Sequence, residues 1–197
     1  MDFHQIVADM AKIKRIQAKT INLGLFYGMG KAKLQAELGV SAEKAEDLFA
    51  TYHSKVPFVK QLMNSVSQRA QERGQIRTLL GRLCRFHLWE PKYFGIHKAL
   101  PHEQAILEHG PGIKRAFTYK SLNKLIQGSA ADMIKKCMLE LYKEGIIPHI
   151  QIHDELDISV KDDKEAKRIV EIMESAVELA IPNKVDYEAG DNWGEIH

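Results

Sequence analysis

Apolar positions recur at helical spacing along several stretches of this chain and alternate with polar ones along others. Residues from about Lys14 to Tyr27 carry a helical pattern that stops at Gly28 and Gly30. Ser41 is placed to cap a helix running to about His53. Pro57 sits at a first-turn position and opens another helix, with Val59, Leu62, Met63, Val66 and Ala70 along one face and Gly74 just past its end. The stretch QIRTLLGRLCRFHL alternates on both sides of Gly81 and predicts a hairpin. Trp89 to Gly112, with three prolines, predicts loop and one short helix. One or two helices follow from Arg115 to about Glu144, the second opening near Asn123. In PHIQIHDELDISV, Ile150, Ile152, Leu156, Ile158 and Val160 predict a second hairpin. A helix from about Asp163 to Ala180 and a strand at Lys184–Glu188 complete the pattern. Helices, hairpin, helix and strand in this order define an α+β chain.

With 197 residues and 45% apolar content, the chain can bury one sizeable core or two small ones. The net charge of +2 conceals an uneven distribution. Pro111 to Lys143 holds seven Lys and Arg against two acids, a balance of +5, whereas Asp154 to His197 holds thirteen acids against five bases, a balance of −8. Such a division suits a protein that holds a polyanion in one place and a cation in another, and equally suits helix faces whose solvated charges happen to be unequal. Two cysteines, Cys84 and Cys137, form no disulfide framework, so a reducing, cytoplasmic setting is expected. No run approaches the ~18 apolar residues of a membrane span, and the first fifteen residues lack a signal-peptide apolar block.

Three segments carry the chemistry. In RIQAKTINLGLFYG, Arg15, Lys19, Leu23 and Tyr27 are four residues apart and wind along one helical stripe, from two cations through an aliphatic side chain to an aromatic ring. That gradient suits a nucleotide, phosphates at one end and base at the other; it also fits an amphipathic helix with solvated cations. Gly24, inside the helix, costs roughly 1 kcal/mol relative to alanine and points to close approach of a backbone or a base. In NKLIQGSAADMIKK, Asn123 and Gln127 pair amides one turn apart, and Gly128, Ala130 and Ala131 leave room for a close neighbour. The tip of the second hairpin holds His153, Asp154, Glu155 and, beyond, Asp157. Hard carboxylate oxygens are what Mg²⁺ prefers, and two-metal phosphoryl transfer needs a bridging carboxylate with a second from elsewhere. A solvated structural turn accounts for the same residues.

Taken together and in this order, the segments resemble the family A, DNA polymerase I-like, polymerases. The pattern Arg-x3-Lys-x7-Tyr-Gly (Arg15, Lys19, Tyr27, Gly28) is similar to that family's fingers helix. LNKLIQGSAADMIK resembles its palm helix, QIHDELDISV its His-Asp-Glu motif, DFHQ its Asp-x-His element, and DYEAGDNWGEIH its C-terminal end. The wording RAFTYKSLNKLIQGSAADM is most like bacteriophage members.

The resemblance implies a mostly helical fingers subdomain over 1–112. Over 113–197 it implies the C-terminal part of a right-hand palm, an antiparallel sheet with flanking helices. It implies template-directed DNA synthesis with Mg²⁺, primer–template DNA and dNTP. His4, Arg15 and Lys19 would hold the nucleotide phosphates, Lys19 also giving a proton to the pyrophosphate leaving group. Leu23 would lie beside the sugar, and Tyr27 would stack at the templating base with Gly28 leaving room for it. Arg82, Asn123, Gln127 and His153 would contact primer–template. Asp154 would ligate metal, Glu155 in a secondary role. At position 23 the family usually has Phe or Tyr, which governs acceptance of dideoxynucleotides, so intermediate discrimination is expected.

The family's other catalytic Asp lies in an Asp-x-Ser-x-x-Glu motif that these 197 residues lack; Asp2–Val7 is the nearest match, with Val7 in place of Glu. The thumb would also lie upstream. The expectation is therefore the C-terminal half of a polymerase, inactive alone and completed by a partner chain or upstream segment, with an exposed sheet edge and apolar face. The competing reading is a non-catalytic remnant that binds DNA or nucleotide. An unrelated Mg²⁺ phosphohydrolase lacks enough carboxylates in one motif.

Overall fold

The computed structural model describes residues 4, 5, 8, 9, 13–26, 29–93 and 95–195. Their contacts divide the chain into two units, residues 1–77 with 83–126, and residues 78–82 with 127–197.

The first unit includes the helices α1 (Arg15–Phe26), α2 (Lys31–Leu38), α3 (Ala42–Lys55) and α4 (Pro57–Arg73). Their shared core holds Ala18, Ile21, Leu25, Leu34, Leu48, Tyr52 and Val59. Ser41 caps α3 as expected, its side chain accepting from the Lys44 amide at 3.2 Å. Pro57 begins α4, and Gly74 ends it at φ +66°, the left-handed conformation that glycine adopts without cost. Val59, Val66 and Ala70 are buried as the periodicity predicts, whereas Leu62 is exposed. Helix α2 was not expected; LQAEL is short and weakly patterned, and Leu34 alone is buried from it.

The first hairpin pairs β1 (Gln75–Arg77) with β2 (Leu83–Arg85), Ile76 opposite Cys84. Ile76 and Phe86 join Val66, Ala70 and Leu122 in a second core cluster. The stretch expected as loop is partly a three-stranded antiparallel sheet, β3 (Leu88–Pro91) at its centre between β4 (Leu100–Pro101) and β5 (Ile113–Arg115). Its strands are two to four residues long, too short for a period of two to stand out. Helix α5 (His102–His109) is the short helix expected there.

Arg115 accounts for part of the basic middle in structural terms. Its Nε donates to the Gln71 carbonyl at 3.1 Å, its Nη1 to the Phe86 carbonyl at 3.0 Å, and its guanidinium lies 4.5 Å from the Trp89 ring centre. A side chain at Gly74 would collide with that guanidinium, so the glycine serves packing as well as the helix end.

A 3₁₀ turn at Thr118–Lys120 leads into α6 (Ser121–Lys143), one long helix. In the second unit, α6 residues Ile134, Cys137 and Leu141 pack against Ile169, Ile172 and Met173 of α7 (Asp163–Ser175). Asp162 caps α7 by accepting from the Glu165 amide at 2.8 Å, while Glu165 accepts from the Lys161 amide. The helix ends at Ser175, short of Ala180. Lys184–Glu188 forms no ladder among the described residues; Val185 packs on the α7 core, and its amide bonds to the Glu174 carboxylate, not to a strand. The second hairpin is β6 (Ile150–Ile152) against β7 (Glu155–Asp157). Leu156 and Ile158 pack on the α6–α7 core, but Ile150 and Ile152 remain 40% and 39% exposed. Ile150 and Ile152 share their face of the hairpin with their cross-strand partners Asp157 and Glu155, so that face is mixed apolar and acidic. Among the described residues no helix is long and apolar enough to cross a membrane.

Candidate active site

Helix α1 turns one face inwards and the expected stripe outwards. Ala18, Ile21, Asn22 and Leu25 are at most 3% exposed, whereas Arg15 and Lys19 are exposed and Leu23 is 47% exposed. The helical pitch explains the arrangement: at 100° per residue, residues 15, 19 and 23 lie on the flank of the buried set, about 110° around the axis from its centre. Tyr27 and Gly28 lie outside the described residues. At Gly24 a Cβ would meet the end of the Met29 side chain, the neighbour that the structure places there.

A residue of the buried side of α1 that was not singled out from sequence contacts His4. The amide of Asn22 donates to His4 Nδ1 at 3.0 Å. With Nδ1 accepting, the neutral ring carries its proton on Nε2, the form that can donate to an anion. Asn22 is buried and polar, and its position beside His4 depends on how the chain before α1 returns to it. Nothing in the local pattern of TINLGL signals that.

In the second unit, the tip of the first hairpin is clipped to α6. Arg82 Nε donates to Asp132 Oδ1 at 2.7 Å, and its Nη2 donates to the Gly128 carbonyl at 2.8 Å. The Leu79 amide donates to Ser129 Oγ at 2.9 Å. A Cβ at Gly128 would meet the Thr78 methyl at 2.8 Å, which identifies the close neighbour implied by the small residues of GSAAD. Asp132 is 7% exposed. Burial alone would raise its pKa; the Thr78 and Arg82 side chains and the Leu80 amide outweigh that and hold the carboxyl below its ordinary range.

A carboxyl held low in the fold stabilises it above the ordinary carboxylate pKa of about 3.9, and that stabilisation is lost as pH falls through the lower folded value. Arg82→Ala leaves a buried carboxylate without its main partner. Half the Arg82 side chain faces solvent, so the expected cost is about 1–3 kcal/mol. Urea midpoints at pH 7 and pH 3 test this. The gap between wild type and variant should narrow at pH 3, and an equal gap at both would show that Asp132 ionisation is not the source.

Asn123 and Gln127 lie one turn apart on α6, Asn123 half-buried and Gln127 exposed. The second hairpin turns through His153 and Asp154. His153 has φ +52°, a conformation non-glycine residues seldom adopt, and its carbonyl accepts from Gln151 Nε2 at 2.6 Å. His153, Asp154 and Glu155 are all exposed. Among the described residues no cluster of three or more His, Cys, Asp or Glu side chains forms a metal site. The two carboxylates at the tip are hard oxygen donors of the kind Mg²⁺ takes, and they make up part of a donor set.

The α+β fold thus carries cations on an exposed face of α1 in the first unit and carboxylates at the tip of the second hairpin in the second unit. The family model for DNA polymerase family A matches residues 2–195, and the chain belongs to that family. It is 36% identical to a DNA-directed DNA polymerase of Pseudomonas phage M6, over 98% of this chain and 31% of the phage protein. It is 32% identical to DNA polymerase I of Geobacillus stearothermophilus, over 97% of this chain and 21% of that one. The POL domain of Pol1 from M. smegmatis, solved in complex with DNA primer-template and dNTP, superposes with a TM-score of 0.70 at 27% identity, covering 92% of this chain and 32% of that domain chain. The chain thus spans between a fifth and a third of these relatives' length.

Proposed function

We propose that this chain provides the fingers (1–112) and the C-terminal part of the palm (113–197) of a template-directed DNA polymerase. Its reaction is nucleotidyl transfer from dNTP to a primer 3′-hydroxyl. The observation that carries the reading is the exposed stripe of Arg15, Lys19 and Leu23 on a helix whose other face is buried, in a member of this family. Arg15, Lys19 and His4, donating through Nε2, bind the triphosphate; Lys19 gives its proton to departing pyrophosphate. Leu23 borders the sugar, and Tyr27 and Gly28 border the templating base. Asn123, Gln127 and His153 contact primer–template. Arg82 contacts primer–template as well, from a turn that its Nε and Nη2 anchor to Asp132 and Gly128 of α6.

Asp154, with Glu155 beside it, would hold Mg²⁺, which when bound neutralises charge on the transferred phosphoryl group. The chain's own residues then act mainly by positioning and by supplying cations to the phosphates. A segment carrying the thumb and the Asp-x-Ser-x-x-Glu carboxylate, upstream or on a second chain, completes the site; without it the chain is expected to be inactive.

Primer extension with Mg²⁺ and dNTPs tests this, using the chain alone and then with such a segment supplied. Synthesis in the mixture only is the expected result. Binding of primer–template without synthesis in either would favour the non-catalytic reading, and synthesis by the chain alone would overturn the incomplete site.

Leu23 makes a separate prediction. In the reconstituted polymerase, Leu23→Phe should change the ratio of dideoxy- to deoxynucleotide incorporation several-fold, because an aromatic ring replaces an exposed aliphatic group beside the sugar. Identical ratios would remove Leu23 from the sugar contact.

A further inference from the structure

Much of the basic middle segment is engaged internally. Arg115 is bonded to two carbonyls, Lys136 and Lys143 pair with Glu140, and Lys114 lies 3.5 Å from Glu90. A different group of cations converges on open space. Arg69 and Arg73 of α4 and Arg77 of β1, with Gln75, line a cavity of about 150 Å³. Its apolar surface comes from Val66, Ile76 and Leu125.

Two periodicities bring the cations together. Arg69 and Arg73 are one helical turn apart on the same face of α4, about 6 Å along the axis. Gly74 then reverses the chain, so β1 returns beside the last turn. Ile76 alone of β1 is buried, which leaves Gln75 and Arg77 on the opposite, solvent face. Arg85, directly across from Gln75 in the ladder, lies on that face too. All four arginines are exposed. Among the described residues no carboxylate pairs with Arg69 or Arg73. The acid nearest in sequence, Glu72, accepts from Gln68 instead.

Like charges at neighbouring positions repel, and no carboxylate among the described residues offsets Arg69 and Arg73. Planar guanidiniums with an amide between them are the donor set for phosphate oxygens, and the spacing of Arg69 and Arg73 lets them take neighbouring phosphates of one strand. We propose that Arg69, Arg73, Arg77 and Gln75 form a second nucleic-acid contact, separate from the α1 stripe and the hairpin tip, that binds the sugar–phosphate backbone of a DNA strand without reading its sequence. This contact rests on the reading of the chain as a DNA-binding polymerase part.

The test is the salt dependence of primer–template binding by the 197-residue chain. Each phosphate neutralised adds about 0.7–0.9 to the slope of log affinity against log salt. Arg69→Gln/Arg73→Gln/Arg77→Gln should reduce the slope by about 2 and weaken binding at low salt by about tenfold or more. Arg69→Lys/Arg73→Lys/Arg77→Lys should keep most of the slope. Lys33→Gln/Lys44→Gln/Lys164→Gln, which removes equal charge elsewhere, should leave it nearly unchanged.

An unchanged slope in the glutamine variant overturns the contact, as does an equal fall in the distant control. Weaker binding at constant slope also overturns it, since that marks a structural effect. Binding of poly-glutamate by the wild type, lost in the glutamine variant while the DNA slope stays constant, would assign the cavity to acidic protein segments instead. If the wild-type chain binds no primer–template at low salt, the polymerase reading fails with it; if wild type binds and the variant slope is unchanged, only this contact fails.

Discussion

Asp154→Asn should reduce nucleotide incorporation by the reconstituted polymerase on the order of 10³-fold or more, with primer–template binding unchanged. Asparagine keeps the size and one oxygen of the side chain but removes the negative charge that a divalent cation requires. Asp154 is exposed at a two-residue turn, so no core packing depends on it and the folded fraction should not change. That separation makes the variant informative. A lost rate with intact binding assigns chemistry to the hairpin tip, whereas activity within about tenfold of wild type would remove Asp154 from metal binding. The neighbouring His153 is held in left-handed backbone, and strain of that kind persists where the surroundings impose it. Glu155→Gln should have a smaller effect, in line with its secondary role.

Lys19 should account for the second large effect, and two substitutions separate its roles. Lys19→Ala removes both the cation and the transferable proton, and the expected loss in kcat/KM is about 10²–10⁴-fold. Lys19→Arg keeps the charge but offers a guanidinium that does not give up its proton in proteins. Nucleotide affinity should then stay within several-fold of wild type while kcat falls by about 10²-fold or more. Equal kcat for wild type and Lys19→Arg would mean that Lys19 serves as a point charge alone. Lys19 is exposed on α1, with the core contacts carried by Ala18, Ile21 and Leu25, so neither variant should unfold the helix. Single-turnover incorporation on a primer–template distinguishes the chemical step from binding.

Helices α1, α3, α4, α6 and α7 occur about where the sequence predicts them, α4 from its apolar face and α3 from the Ser41 cap. Their caps followed from local chemistry, as with Ser41 and Gly74. The three-stranded sheet of β3, β4 and β5 was missed because its strands are shorter than the pattern needed to reveal them. A strand at Lys184–Glu188 was overcalled for a related reason. Alternation marks a segment fit for a ladder, but a strand exists only where a partner offers its backbone, and Val185 finds the Glu174 carboxylate instead.

The candidate site divides in the same way. Arg15, Lys19 and Leu23 lie on one helix, and Asp154 and Glu155 on one turn, so short-range geometry determines their grouping. The partnership of Asn22 with His4 and of Arg82 with Asp132 joins residues 18 and 50 positions apart, and no local pattern encodes those meetings. The cavity of Arg69, Arg73 and Arg77 combines both cases. Its two helical arginines are paired by pitch, but Arg77 joins them only because Gly74 reverses the chain. By itself, then, the sequence determined the α+β class, the exposed faces of α1 and the second hairpin, and family membership, because these follow from periodicity and ordered motifs. Which charges are consumed internally and which converge on open space was decided by tertiary structure, since charge pairing depends on distances that only the packed chain defines.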